Sequence, residues 1–268
     1  MFSDRRQSGN LEVSRRCRKG IPLLAWCVHA YTALGLVAAA AMAVLIVRGN
    51  AAAFRATFAL MLVATLIDAT DGLLARAVRV KEVLPGFDGR QLDYLTDFLT
   101  YVALPLLLVW RAEILPPGRE AWLIVPLLAG AYWFCQVAAK TDDGYFLGFP
   151  AYWNIVAFYL YITDRLVGRL PGWFSLGVLL SLSVLTFVPT RYLYSTNRGR
   201  LNLVTNVLAL TWTVLVVWIV VRLPTGETPM PRSEPWWSQV IVLSLLFPLY
   251  YLAVSWYLSW RLWRRGDA

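Results

Sequence analysis

Residues 53–76 read AFRATFALMLVATLIDATDGLLAR, an apolar run that ends in two aspartates and an arginine. A helix needs about 20 apolar residues to cross a bilayer, and residues 53–75 meet that length. An ionised aspartate at membrane depth is costly unless it is paired or binds a cation. This stretch therefore predicts a membrane-spanning helix that carries a functional site near one end.

The rest of the chain repeats this apolar pattern. Of its 268 residues, 59% are hydrophobic, against about 45–50% in soluble domains. The apolar runs predict an all-α, polytopic membrane helix bundle with eight spans. The predicted spans are 23–47, 53–75, 92–110, 121–139, 145–163, 172–190, 201–221 and 236–260. The chain then divides into a basic N-terminal segment (1–22), a membrane domain (23–260) and a basic C-terminal tail (261–268).

The basic residues predict the orientation of the bundle. If the N-terminus is cytoplasmic and all eight spans cross, 17 of the 25 Lys and Arg residues fall on the inner side. This bias predicts that both termini are cytoplasmic. A basic inner face suits anionic lipid headgroups, so the net charge of +9 requires no nucleic acid as a partner. Segment 1–22 lies on the membrane surface or is disordered, and the sequence leaves both open.

Four aspartates lie at helical spacing on two of the predicted spans. Asp68 and Asp71 are near the end of the second span, and Asp93 and Asp97 are near the start of the third. Residues three or four apart share one face of a helix, so an antiparallel pair brings the four carboxylates together near the cytoplasmic mouth. Oxygen-only ligands favour Mg²⁺ or Mn²⁺, and one or two ions fit phosphoryl chemistry.

Small residues accompany the carboxylates. Gly72, Ala75 and Gly89 leave a bare strip where a flat or bulky ligand can lie, and Arg76 is placed to meet a phosphate or to balance the carboxylates. The alternative for Gly72 and Ala75 is close packing between helices. His29 is the only histidine. It contacts a nucleotide or water, or it makes a hydrogen bond between helices, which is the more common role for a buried histidine.

The spacing Asp68-x2-Asp71-Gly72-x2-Ala75-Arg76-x12-Gly89-x3-Asp93-x3-Asp97 closely resembles the signature of the CDP-alcohol phosphotransferases. The usual gap after the arginine is shorter than the twelve residues found here. The longer gap is similar to the bacterial phosphatidylcholine synthase branch of that family. The stretches FLGFPAYWN (146–154) and FVPTR (187–191) resemble the same branch.

The resemblance implies a metal-dependent enzyme that transfers the phosphatidyl group from CDP-diacylglycerol to choline and releases CMP. It implies Asp68, Asp71 and Asp93 as ligands of Mn²⁺ or Mg²⁺, and Asp97 as a catalytic base that can share an ion. It also implies that four residues of the signature bind the nucleotide: Gly72, Ala75, Arg76 and Gly89. It also implies a bacterial inner-membrane protein, surrounded by membrane lipids, with its active site facing the cytoplasm, and a homodimer.

Choline carries a quaternary ammonium group, which donates no N–H hydrogen bond and is bound by aromatic rings. Tyr152 and Trp153 are candidates for this contact because they adjoin Asn154, a polar residue inside a predicted span. Asn154 itself touches substrate or joins two helices. Arg191 binds the phosphates of the donor or anionic lipid, or it is an ordinary basic residue of the inner face.

Two other functions stay open at this point. Within the same family, the acceptor is serine, glycerol 3-phosphate or inositol phosphate instead of choline. In a different class, the four aspartates form the transit site of a cation transporter, although the chain shows no internal repeat of the kind that many transporters have. Release of CMP by the protein in detergent, without any gradient, separates the enzyme from the transporter.

Overall fold

The computed structural model describes the backbone of residues 4–136, 145–168, 170–193, 200–226 and 235–265. Within these ranges it describes side chains from Pro22 onward, except at 145, 146, 193, 200, 235, 262 and 265. The described elements are α1 (Asp4–Arg48), α2 (Ala51–Val78), α3 (Val80–Val83), α4 (Gly89–Asp97), α5 (Leu104–Arg111), α6 (Ile124–Cys135), β1 (Tyr145–Leu147), α7 (Trp153–Ile162), α8 (Gly172–Phe187), β2 (Arg191–Leu193), α9 (Arg200–Arg222) and α10 (Pro235–Arg265).

Several of these helices match the dimensions of a bilayer. Among the described residues, five helical stretches are long and apolar enough to cross a membrane. They are Pro22–Arg48, Ala51–Val78, Gly89–Arg111, Leu201–Arg222 and Trp236–Arg261. Two further apolar helices, Glu120–Cys135 and Gly172–Phe187, are shorter. The predicted all-α membrane bundle is confirmed to this extent, while the count of eight spans and the side of each terminus stay predictions.

Two predicted span boundaries are wrong. The span predicted over 145–163 begins with strand β1, and its helix starts only at Trp153. The span predicted over 172–190 ends at Phe187, after which the chain enters β2. The strands pair antiparallel, with Phe146 opposite Tyr192. The apolar composition of these segments fits a buried strand as well as a helix, so hydrophobicity alone does not separate the two.

Gly148 makes the turn after β1 possible. Its φ is +75°, and a Cβ atom at this position would overlap the carbonyl oxygen of Thr186 near the end of α8. Only glycine combines this backbone conformation with so close an approach. The turn therefore holds the two sequence stretches 146–154 and 187–191 against each other.

The third predicted span contains a π-helix over residues Phe98–Ala103, between α4 and α5. Pro105 lies in the first turn of α5 and has no N–H, so the regular hydrogen-bond ladder cannot continue through it. The N–H of Leu104 instead donates to the carbonyl oxygen of Leu99, five residues back. Such π segments are frequent at functional sites, and this one directly follows Asp97.

Helix α1 packs against both helices that carry the aspartates. Gly35 on α1 faces Thr96 on α4 so closely that a Cβ atom on Gly35 would overlap the Thr96 methyl group. Small residues allow this approach between membrane helices. The backbone of α1 is helical from Asp4 to Arg48 and contains Pro22. The side chains of 1–21 lie outside the described residues, so the membrane-surface placement of that segment stays a prediction.

Candidate metal and active site

Three of the predicted carboxylates converge. One oxygen from each of Asp68, Asp71 and Asp93 lies within 4.8 Å of the others. Asp71 is only 6% exposed, while Asp68 and Asp93 are half-buried. The antiparallel arrangement of α2 and α4 brings these residues together, as their spacing predicts.

Two hydroxyl groups orient this carboxylate cluster. The Tyr101 hydroxyl, in the π-helix, donates a hydrogen bond of 2.8 Å to Oδ2 of Asp68. The Thr32 hydroxyl, on α1, donates a hydrogen bond of 2.8 Å to Oδ2 of Asp71. Donors of this kind fix the direction of a ligating carboxylate and tune its affinity for a metal. The cluster is therefore built by four helical segments, namely α2 and α4, which carry the aspartates, and α1 and the π-helix, which carry the two hydroxyl groups.

The chemistry of this donor set fits a hard divalent cation. Three carboxylates this close repel one another unless a cation or proton lies between them. All three offer oxygen, which Mg²⁺ and Mn²⁺ prefer, and none offers sulfur or imidazole. The cluster (Asp68, Asp71 and Asp93) is thus able to bind a metal ion.

Asp97 occupies a different position. It is half-buried, is the last residue of α4 and follows Asp93 by one helical turn. It does not belong to the group of three whose oxygens lie within 4.8 Å of one another. Its expected roles as a base and a shared ligand stay predictions.

The predicted nucleotide-binding residues have different surroundings. Among the described residues, a Cβ atom on Gly72 would meet only Nη1 of Arg76, at 3.4 Å, so the described side chains leave the space beside Gly72 open apart from the exposed Arg76. Ala75 instead packs against a small cluster of buried residues, namely Ala25, Val28 and Val80. Ala75 thus packs between helices, as the alternative interpretation expects, whereas Gly72 has space beside it for a ligand.

Gly89 faces His29. A Cβ atom on Gly89 would lie 2.5 Å from Cε1 and 3.0 Å from Nδ1 of the imidazole. His29 is 5% exposed, and its Nε2 has no hydrogen-bond partner among the residues that the structure describes. The expected hydrogen bond between helices is therefore not found at Nε2, and the ring fills the space expected to be bare at Gly89.

The candidate substrate residues at the start of α7 lie in an aromatic region. Trp153 is completely buried, with its ring 5.8 Å from that of Phe149. Tyr152 is half-buried, and its ring lies 6.4 Å from Tyr251 on α10. The side-chain oxygen of Asn154 accepts a hydrogen bond of 2.9 Å from the N–H of Ile155, which serves the first turn of α7.

Arg191 begins β2, and its backbone N–H donates a hydrogen bond of 2.7 Å to the Ser259 hydroxyl on α10. Tyr192, the next residue, is completely buried, and its ring lies 6.1 Å from that of Tyr251. The sequence alone did not single out Tyr192 and Tyr251. The sequence pattern around an aromatic residue in so short a strand does not distinguish a binding-site residue from a core residue.

Aromatic contacts connect the strand pair to the carboxylate helices. The ring of Phe134, near the end of α6, lies 6.2 Å from Tyr94 and 6.2 Å from Phe98. Its neighbour Trp133 packs against the cluster that contains Phe149 and Tyr192. The strand pair therefore lies toward the same end of the bundle as Asp93 and Asp97.

Comparison with known proteins gives close relatives. No family model matches the chain. The phosphatidylcholine synthase of Pseudomonas aeruginosa is 40% identical over 171 residues, which cover 63% of this chain and 68% of the relative. That of Borreliella burgdorferi is 30% identical over 214 residues, covering 79% of this chain and 88% of the relative. That of Bradyrhizobium diazoefficiens is 36% identical over 203 residues, covering 75% and 73%. With this identity over this share of its length, the chain belongs to the phosphatidylcholine synthase family.

Proposed function

We propose that this chain is a CDP-alcohol phosphotransferase that moves the phosphatidyl group from CDP-diacylglycerol to choline and releases CMP. The observation that carries the proposal is the convergence of Asp68, Asp71 and Asp93 within 4.8 Å in membrane-spanning helices. The names of the relatives supply the reaction, since each is a phosphatidylcholine synthase.

The carboxylate cluster would hold Mn²⁺ or Mg²⁺, with Asp97 near enough along α4 to share an ion. A bound divalent cation supplies charge neutralisation for the diphosphate of the donor. Arg76, exposed at the end of α2, adds a positive charge for the same phosphates. The nucleotide then lies along the open side of Gly72, toward the loop between α2 and α4.

Asp97 serves as the general base in this mechanism. The choline hydroxyl oxygen attacks the phosphorus that bears the diacylglycerol, and its proton passes to the Asp97 carboxylate. The bond between that phosphorus and the bridging oxygen breaks, and CMP leaves with the bridging oxygen. The position of Asp97 supports this role, because it lies one helical turn after Asp93 on α4 and therefore close to the carboxylate cluster.

The start of α7, next to the strand pair, supplies the choline site. Tyr152 and Trp153 contribute aromatic faces to a quaternary ammonium, Asn154 fixes the start of α7, and Arg191 approaches the phosphates of the donor. The burial of Trp153 makes Tyr152 the better candidate for direct contact. The protein works in this way in the bacterial inner membrane, with both termini and the active site on the cytoplasmic side, and as a homodimer.

The test is CMP release by the purified protein, with CDP-diacylglycerol and Mn²⁺. Choline, serine, glycerol 3-phosphate and inositol phosphate are compared as acceptors. We expect release that depends on choline and stops with EDTA. Release with another alcohol would keep the metal site and overturn the choline assignment, while no release with any acceptor would contradict the enzyme itself.

A further inference from the structure

His29 has a buried ring nitrogen that the proposed mechanism does not use. The side chain is 5% exposed, and Nε2 has no hydrogen-bond partner among the described residues. Buried polar side-chain atoms nearly always have a partner, and leaving one without costs about 1–3 kcal/mol. The Nε2 atom of His29, which lies where α1 contacts the start of α4, is therefore expected to find its hydrogen-bond partner in a bound ligand.

The imidazole is held firmly in place. Its ring centroid lies 4.4 Å from that of Phe87 and 5.9 Å from that of Trp26. On its other side it lies against Gly89, where a Cβ atom would come within 2.5 Å of Cε1. The signature glycine thus gives the ring its position, and any larger residue there would displace it.

Two helices independently place this ring next to the carboxylate cluster. On α1, His29 precedes Thr32 by three residues, and Thr32 donates to Asp71. On α4, Gly89 precedes Asp93 by one helical turn. The imidazole therefore lies about one turn, or ~5.4 Å along the helices, from the cluster toward the loop between α2 and α4.

The surroundings of His29 favour the nucleotide half of the donor as its hydrogen-bond partner. The side chains of Arg76 and Arg90, at the end of α2 and the start of α4, are exposed on this side of the cluster. When the diphosphate is held at the cluster, the acyl chains stay in the bilayer and the nucleotide is the part that reaches this polar end. The quaternary ammonium of choline offers nothing for an imidazole nitrogen to bond.

We propose that Nε2 of His29 forms a hydrogen bond with the nucleotide half of the donor, the part that leaves as CMP, and that Gly89 serves to seat the imidazole. This assignment rests on the proposed function. It makes His29 a residue that binds donor and product, outside the aspartate signature.

The experiment compares wild type with His29→Phe and His29→Gln in the full-length protein. Phenylalanine keeps a ring against Phe87 and Gly89 but cannot form the hydrogen bond. Glutamine can place its amide group near the position of Nε2. Three quantities are measured: equilibrium binding of CMP in the presence of Mn²⁺, the KM for CDP-diacylglycerol and the KM for choline.

We expect His29→Phe to weaken CMP binding and to raise the KM for CDP-diacylglycerol by about tenfold, which corresponds to ~1.4 kcal/mol. The KM for choline should change less than twofold, and glutamine should restore most of the loss. CMP binding by His29→Phe within twofold of wild type would overturn the proposal. Equal increases in both KM values, together with a lower melting temperature, would also overturn it, because they indicate a purely structural role.

CMP binding needs no turnover, so it separates this inference from the proposed function. A wild-type protein that binds CMP but releases none with choline would contradict the choline reaction, and the His29 variants would still decide the role of the imidazole. A wild-type protein that binds no CMP would overturn both.

Discussion

Replacing Tyr101 by phenylalanine tests whether the carboxylate cluster holds a metal ion. The change removes one hydroxyl, which donates the 2.8 Å hydrogen bond to Asp68, and leaves the ring in place. Hydrogen bonds to charged groups contribute about 1.5–3 kcal/mol, and each ~1.4 kcal/mol is tenfold in an equilibrium constant. If the bond is kept when the ion binds, only the part of its energy that orients Asp68 for the ion contributes to metal affinity. We therefore expect a loss of about tenfold in apparent Mn²⁺ affinity, at the low end of the range of roughly 10–100-fold for such outer residues.

The assay is the Mn²⁺ dependence of choline-dependent CMP release, supported by direct Mn²⁺ binding by electron paramagnetic resonance. The matched control is Tyr94→Phe, the same change one helical segment earlier. Tyr94 is 46% exposed, and its ring contacts Phe134. A half-saturating Mn²⁺ concentration in Tyr101→Phe within twofold of both wild type and the control would refute the reasoning.

Three further substitutions test separate parts of the site and fold. Asp97→Asn should lower turnover by about 10²–10⁴-fold with little change in Mn²⁺ binding, and near-normal turnover would remove Asp97 as the base. Gly72→Leu should raise the KM for CDP-diacylglycerol by filling open space, whereas an unchanged KM would leave Gly72 as a packing residue. Gly35→Ala should lower the melting temperature in detergent, because its Cβ would overlap Thr96. Overpacking of this kind lowers the free energy of unfolding by about 1–3 kcal/mol. Gly177→Ala is the control, because a Cβ atom there would meet no atom of another described residue within 4 Å, and equal melting temperatures for the two variants would contradict the packing.

The sequence predicted the centre of the site well, since helical spacing is a local property. Asp68 and Asp71 are three residues apart, and one face of α2 must carry both. A short connection makes α2 and α4 antiparallel neighbours. The sequence therefore predicts that Asp93 lies at the same height along the bundle as Asp68 and Asp71. Spacing does not fix how far each carboxylate reaches, and the structure accordingly places three of the four within 4.8 Å of one another and not Asp97.

The partners of the carboxylates could not be predicted with the same ease. Tyr101 follows Asp97 by four residues and lies in the π-helix, and its hydrogen bond with Asp68 joins positions 33 residues apart in the chain. The strand pair depends on a contact between segments more than forty residues apart in the chain, 145–147 and 191–193. A single sequence contains no record of such pairings, whereas it does contain the length and hydrophobicity that predict membrane helices.

The positions of Thr32, His29 and Gly35 show why the signature alone does not make the site. These residues follow one another at steps of three along α1 and meet the two signature helices at successive levels. His29 lies against Gly89, Thr32 donates to Asp71, and Gly35 packs against Thr96. The close approach at Gly35 holds α4 against α1, and the hydrogen bond of Thr32 holds α2 against the same helix. Because both signature helices pack against α1, the face of α1 helps to set the distance between their carboxylates. We therefore expect a change in that face to alter the geometry of the carboxylate cluster without touching any aspartate.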